Sequence, residues 1–253
     1  MVPEFLEESA PVMGNIRENL ACVKTRIAEA AARSGRREED VTLVCVTKTR
    51  TPEEIREILD AGEYNLGENR VQEFLDKYGK IQDMAIGLDK KPNIMWHLIG
   101  HLQRNKVKYT EGKLALIHSV DSFKLAETIN ARGAQTGNTA EILIQLNPAG
   151  EAQKSGVALS ECKALAKEIS DRLPYVKLKG LMAVVPAVED PEDVRGYFRD
   201  AKQVYDALAK ERGGAETGFE HLSMGMTHDF EVAIEEGATI VRVGTAIFGS
   251  RIV

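Results

Sequence analysis

Residues 41–59 have the sequence VTLVCVTKTRTPEEIREIL, in which the signals of a strand, a turn and a helix follow one another. Residues 41–46 are apolar and rich in β-branched side chains, as is typical of a strand buried on both faces. Thr51, Pro52 and Glu54 then stand at the N-cap, N1 and N3 positions of a predicted helix, where they form a capping box. A buried strand followed directly by a capped helix is the repeating unit of parallel α/β folds.

The same pattern recurs along the 253-residue chain. Apolar runs typical of strands cover residues 41–46, 64–66, 94–98, 114–118, 140–146, 176–182, 220–224 and 239–243. The clearest helix follows Asp190-Pro191, where apolar residues repeat at i, i+3, i+4 and i+7 from Val194 to Leu208. A further helix, ending near Ser34-Gly35, is predicted before the first strand.

Eight such units predict an α/β fold, a single (β/α)8 TIM-type barrel with an extra N-terminal helix. We expect one domain over residues 1–253, with the helix within 1–35 and the barrel within 41–250. A doubly wound sheet is the alternative, because it has the same local pattern. The G-x-G-x-x-G sequence that such a sheet carries after its first strand is missing.

The composition narrows the class of function. The chain has 33 Lys and Arg against 39 Asp and Glu without long like-charge runs, which argues against a nucleic-acid surface and favours a small ligand. Three well separated cysteines without a C-x-x-C pattern are typical of a reduced, cytoplasmic protein. No apolar run reaches 18 residues and the N-terminus is acidic, so neither a membrane span nor a leader is predicted.

In a barrel, the residues directly after each strand form the active or binding site. Lys48 follows the first predicted strand, at the rim of a low-dielectric pocket, where a lysine loses its proton more easily and can form an imine with a carbonyl compound. A surface lysine at a strand end is the alternative interpretation. No metal site is expected, because His97 and His101 are separated by Gly100 and lack a third ligand. We predict a buried His97, a rim His101 and a hydrogen-bonded His118 at a strand end.

Strands seven and eight end in small residues that suit an oxyanion. Ser223-Met224-Gly225 and Gly244-Thr245 offer backbone N–H groups and hydroxyls, and this is the frequent phosphate position of barrels. Ordinary turn glycines are the alternative. Within the eighth strand, alternation points Arg242 to the face opposite its two valine neighbours. An arginine inside a buried strand is costly unless its guanidinium has an acceptor. That acceptor is either a ligand atom or the carboxylate of a structural ion pair.

An imine-forming lysine opposite a phosphate site suggests pyridoxal 5'-phosphate (PLP) as the cofactor. Eight segments between residues 46 and 249 resemble the signature blocks of the YggS/PROSC family of PLP homeostasis proteins. They are VTKTR, GENRVQE, WHLIGHLQRNK, HSVDS, the QKSGV that follows QLN, KGLMAVVP, LSMGMTHDF and VRVGTAIFG. Two positions depart from the family pattern: Arg70 replaces a frequent tyrosine, and Thr227 replaces a serine while keeping a hydroxyl suitable for an N-cap.

The resemblance implies a fold like the N-terminal barrel of alanine racemase and assigns roles to individual residues. Lys48 would form the aldimine, Asn69 would lie near the ring or imine, and Arg242 would lie beside the pyridine nitrogen. The phosphate would be held by Ser223, Gly225, Gly244 and Thr245, and the further candidates are Met224 and Lys154. Lys154 matches a lysine that is proposed in the family to help move the cofactor.

The predicted activity is binding rather than catalysis. Arginine beside the ring nitrogen keeps that nitrogen unprotonated and weakens the ring as an electron sink. The resemblance implies that racemases also need a second domain and a partner subunit, whereas this barrel uses the length of the chain. We therefore predict a cytoplasmic, monomeric protein that holds PLP, buffers it or supplies it to apo PLP-dependent enzymes. The alternatives are a PLP-dependent amino-acid racemase or, more remotely, a lysine-imine aldolase.

Overall fold

Eight parallel strands close into a barrel in the computed structural model, which describes residues 15–86, 93–151, 155–213 and 218–250. The strands are β1 Thr42–Val46, β2 Asn65–Glu68, β3 Met95–Leu98, β4 Leu116–Val120, β5 Ala140–Leu146, β6 Val176–Ala183, β7 His221–Ser223 and β8 Ile240–Val243. Each strand pairs with the next one along the chain, and β8 returns to β1 with Cys45 opposite Val243. The predicted (β/α)8 barrel is confirmed, and the doubly wound alternative is wrong because the sheet has no open edge.

Helices surround the barrel in chain order. They are α1 Ile16–Arg33, α2 Pro52–Asp60, α3 Val71–Ile86, α4 Val107–Thr110, α5 Phe123–Thr136, α6 Leu159–Arg172, α7 Arg195–Arg212, α8 Phe230–Glu235 and α9 Thr245–Phe248. The predicted capping box of α2 is confirmed. Thr51 Oγ1 accepts from the Glu54 N–H, and the Glu54 carboxylate accepts from the Thr51 N–H. None of these helices, within the described ranges, is long and apolar enough to cross a membrane.

The extra N-terminal helix α1 is tied to the last units of the barrel. It buries Leu20, Val23 and Ile27, and Arg26 makes a bidentate ion pair with Glu231 of α8 at 2.8 Å. A helix that precedes the first strand thus covers α8 and α9, at the junction where the barrel closes.

The side chains inside the barrel are partly apolar and partly polar. Val44, Leu116, Leu143, Met182 and Ile240 form the apolar cluster of the interior, and each contributes about 1.5–3 kcal/mol through burial. The alternate residues of each strand point outward and pack under the helices. Because side chains alternate along a strand, Arg242 lies on the same interior face of β8 as Ile240, whereas Lys48 lies in the turn after the end of β1.

Candidate functional site

A cleft of about 390 Å³ opens at the carboxyl ends of the strands. It is lined by Val46, Lys48, Thr49, Arg50, Asn69, Ile99, Val184, Met226, Thr227, His228, Arg242, Gly244 and Thr245. Among these described residues, Lys48, Arg50 and Arg242 are cationic side chains and none is a carboxylate, in a chain whose net charge is −6. The cleft therefore favours an anionic ligand over a cationic one.

Five residues that the sequence singles out meet at this cleft: Lys48, Asn69, Arg242, Gly244 and Thr245. They come from the loops after β1 and β2 and from the end of β8, regions nearly 200 positions apart along the chain. Parallel strands in a closed barrel bring their carboxyl ends to one face, and this is why such distant residues share one cleft.

Arg242 lies in the cleft lining with only 4% of its surface exposed. Its Nη1 donates to Ser223 Oγ at 2.7 Å and its Nη2 donates to the Ala183 carbonyl at 3.1 Å. Burial lowers the pKa of Arg242 to about 10, with the Asp229 carboxylate opposing that shift. Arg242 is therefore still charged at neutral pH. Its partners are a hydroxyl and a carbonyl, so the structural ion pair considered from the sequence is not formed among the described residues.

A chain of hydrogen bonds runs from Arg242 through the barrel interior. Ser223 Oγ lies 2.9 Å from His118 Nδ1, His118 Nε2 lies 2.9 Å from His97 Nδ1, and His97 Nε2 lies 3.1 Å from Asn65 Oδ1. The side-chain amide oxygen of Asn65 can only accept, so neutral His97 donates from Nε2 and accepts at Nδ1. It follows that His118 donates from Nε2 and that its Nδ1 accepts a hydrogen bond from the Ser223 hydroxyl.

This direction requires both imidazoles to be neutral. Burial lowers the pKa of His97 to about 3, and burial together with the neighbouring His97 and Arg242 lowers the pKa of His118 well below its usual value. The prediction of a buried, satisfied His97 is confirmed. His118 is hydrogen-bonded as expected, but it lies within β4 rather than at the strand end. His101 is exposed, with Nδ1 3.5 Å from the Asp121 carboxylate.

Three predicted site residues lie behind the cleft wall rather than on it. The Ser223 hydroxyl is fully buried and bonded to both Arg242 and His118, and Met224 is fully buried. Gly225 has a φ of 90°, and its carbonyl accepts from the Arg242 N–H at 3.1 Å. Lys154 lies outside the described residues. A direct role of these residues in ligand contact stays a prediction.

Sequence reasoning missed Arg50 as a lining residue of the cleft and gave Thr227 only a capping hydroxyl. Thr227 does not cap α8, whose N-cap is Asp229; its Oγ1 instead accepts from the Gly244 N–H at 3.3 Å and the Ala246 N–H at 3.4 Å. Arg50 donates to the Gly249 carbonyl at 2.6 Å, so it also borders the loop after β8. The available signal was their position, since every residue after a barrel strand faces this end. No cluster of metal-ligating side chains occurs within the described part of the chain.

The structure is that of a (β/α)8 barrel protein with a lysine in a cationic cleft, and the comparison of its sequence with protein families gives the same barrel class. The profile described as "Alanine racemase, N-terminal domain" matches residues 14–252, so the chain belongs to this family. The structure of alanine racemase from Clostridium difficile is 16% identical, with a TM-score of 0.63. The match covers 95% of this chain and 58% of the racemase, and it shows a shared fold alone.

More similar proteins match over nearly their whole length. A protein of Aquifex aeolicus named "Pyridoxal phosphate homeostasis protein" is 47% identical over 237 residues, which are 94% of this chain and 99% of that protein. The protein of the same name from Escherichia coli K12 is 40% identical over 243 residues, 94% and 98% of the two chains. The structure of PipY from Synechococcus elongatus with PLP bound is 30% identical, with a TM-score of 0.77, and covers 93% of this chain and all of that one.

Proposed function

We propose that this protein binds pyridoxal 5'-phosphate and serves PLP homeostasis, holding the cofactor at Lys48 and buffering or supplying it without robust catalysis. The observation that carries the proposal is the cleft itself, in which Lys48 and Arg242 share a cationic lining without a carboxylate. The names of the similar Aquifex and Escherichia proteins and the PLP in the PipY structure support it.

The donor set fits the chemical groups of PLP. An amine is needed for its aldehyde, and Lys48 is on the cleft wall. Its phosphate needs N–H and O–H donors, and the Thr245 and Thr227 hydroxyls lie on the same wall; the Gly244 N–H, which bonds to Thr227 Oγ1 in this structure, would turn to the phosphate. Arg242 would face the ring nitrogen and Asn69 the ring or imine, while Ser223 and Gly225 would support the phosphate side. When bound, PLP supplies a reactive aldehyde conjugated to an electron-withdrawing ring.

The charge of Arg242 supports the proposal of binding without robust catalysis. A protonated guanidinium can only donate a hydrogen bond to the ring nitrogen, so it would not stabilise a protonated ring as a carboxylate partner does, and PLP is then a weaker electron sink. The cleft also offers few proton-transfer groups: His228 is the imidazole among the described lining residues, and its Nε2 lies 2.8 Å from the Glu189 carbonyl. His228 is the observation that favours the alternative, an amino-acid racemase or related enzyme.

The first experiment tests capture at Lys48. Purified protein is incubated with PLP, the visible absorption of the bound cofactor is recorded, and the product is reduced with borohydride and mapped by mass spectrometry. We expect the adduct on Lys48, its loss in Lys48→Ala, and wild-type behaviour in Lys80→Ala, which changes an exposed lysine of α3. An undiminished adduct in Lys48→Ala would show that the assignment is wrong.

The second experiment separates carrier from catalyst. Exchange of the α-proton is followed in deuterated water across a panel of amino acids, and transfer of PLP to an apo PLP-dependent enzyme is compared with spontaneous release. We expect negligible exchange and transfer faster than release. Robust turnover that depends on Lys48 and His228 would instead establish the racemase alternative. The proposal places the protein in the cytoplasm as a monomer, with apo PLP enzymes as recipients.

A further inference from the structure

We propose that Glu73 and Lys77, one turn apart on α3, are positioning residues that hold the turn carrying Lys48 and so direct its amine into the cleft. The inference rests on the PLP-binding function proposed above. It concerns residues that do not line the cleft and that the resemblance assigns no role.

The backbone around Lys48 adopts an unfavourable conformation. Thr49, the next residue, has a φ of 63°. Every other positive φ among the described residues belongs to a glycine. A β-branched side chain in this region is strained, and such a conformation persists only where its surroundings hold it. The peptide groups on either side of Lys48 must therefore be fixed by neighbours.

Helix α3 supplies these contacts. Lys77 Nζ donates to the Thr47 carbonyl at 2.6 Å, and Glu73 Oε1 accepts from the Thr49 N–H. Glu73 and Lys77 also pair with each other at 2.7 Å, as their i, i+4 spacing allows. Lys77 thus binds the carbonyl group before Lys48, and Glu73 binds the N–H group after it. The two side chains come from one face of α3 and are paired with each other.

The pair is anchored in a buried polar cluster. Lys77 is only 7% exposed, and its third contact is Glu68 Oε1 at 2.8 Å, so the three ammonium protons have three acceptors. Thr47 Oγ1 donates to the same Glu68 oxygen at 2.7 Å. Burial raises the pKa of Glu68, and Lys77 opposes that shift. Buried ion pairs are poor sources of stability, so the contacts of this one with the Lys48 turn indicate its role.

One test needs no cofactor. The rate of amide hydrogen exchange at Thr49 is measured by NMR in wild-type protein, Glu73→Ala and Asp76→Ala. Asp76 is on the same helix, but it is exposed and pairs with Gln72 instead. We expect Glu73→Ala to accelerate exchange at Thr49 at least tenfold, Asp76→Ala to leave it unchanged, and Glu73→Gln, which keeps an acceptor, to restore most of the protection.

A second test follows PLP capture. The rate at which the visible band develops is compared in wild type, Glu73→Ala, Lys77→Met and the control Lys80→Met. A displaced reactive group can cost on the order of a hundredfold in rate, and we expect the Glu73 and Lys77 changes to slow capture by roughly ten to a hundredfold. The final amount of adduct should stay the same, because Lys48 itself is present.

The outcomes separate this inference from a purely structural role. If Lys77→Met does not fold because Glu68 loses its partner, the double change Glu68→Gln with Lys77→Met removes both charges and is tested instead. Lower thermal stability with unchanged Thr49 exchange and unchanged capture rate would overturn the inference. Should wild-type protein capture no PLP at Lys48, the proposed function fails, whereas the exchange experiment still decides whether Glu73 holds the turn.

Discussion

The neutral histidine pair inside the barrel predicts a loss of stability in mild acid. In the unfolded chain each imidazole takes up a proton below about pH 6.5. In the folded protein burial lowers the pKa of His97 to about 3 and that of His118 well below its usual value. The unfolded state therefore binds more protons, and the stability contributed by the two neutral imidazoles is lost as pH falls below 6.5.

The size of the effect follows from proton linkage. Between pH 7 and pH 5, a histidine that titrates only when unfolded lowers the free energy of unfolding by about 1.9 kcal/mol, or about 4 kcal/mol for the pair. Glu68 and Asp229, whose pKa burial raises, act in the opposite direction as pH falls. The histidine contribution is therefore best measured as a difference between two proteins rather than from one pH profile.

The assay is urea unfolding at pH 7, 6 and 5. Wild type is compared with a double variant, His97→Gln and His118→Gln, in which each glutamine keeps a donor and an acceptor without titrating. The exposed His101→Gln serves as the control. We expect wild type to lose about 4 kcal/mol more than the double variant between pH 7 and pH 5. Equal losses, within 1 kcal/mol, would refute the neutral, one-directional hydrogen-bond chain.

The other predictions concern single side chains. Ser223→Ala removes one of the two acceptors of the buried Arg242 guanidinium, together with the hydroxyl bonded to His118, and should cost about 2–4 kcal/mol in urea unfolding. Ser119→Ala loses one neutral hydrogen bond and should cost about 1 kcal/mol. Similar costs would contradict the special role of the Ser223 hydroxyl. Gly225→Ala introduces a Cβ 2.6 Å from a neighbouring Cβ at a φ of 90°, and should lower the melting temperature markedly. Gly79→Ala, at a helical position with open space around it, should raise the free energy of unfolding by about 1 kcal/mol. A lower free energy of unfolding in this variant would contradict the open environment of Gly79.

Much of the fold could be predicted because its signals are local. The predicted strand at 140–146 has the bounds of β5, and the capping box at Thr51 begins α2 where the sequence indicates. Lys48 was found because it follows a strand, and Arg242 because a charged residue interrupts an apolar one. In each case neighbouring residues carry the information, through backbone preferences, capping and the alternation of side chains.

The environment of these residues could not be predicted in the same way. His118 and Ser223 are 105 positions apart, and nothing near either one indicates that they form a hydrogen bond with each other. Lys77 looks like a helix-surface lysine, yet it reaches the Thr47 carbonyl 30 positions earlier. Ser223, at the end of β7, is bonded to Arg242 and to His118, and its role at the phosphate stays a prediction.

Local sequence was thus sufficient for the strands, the helices, their order and the lysine at the first strand end, since short-range sterics and hydrogen bonding control them. Closure of the barrel decided the rest: which side chains meet, that the interior histidines are neutral, and that residues behind the cleft bond to Arg242 and to the peptide groups that flank Lys48. Hydrogen bonds and charge interactions depend on distances of a few ångströms, and only the packed tertiary structure sets those distances.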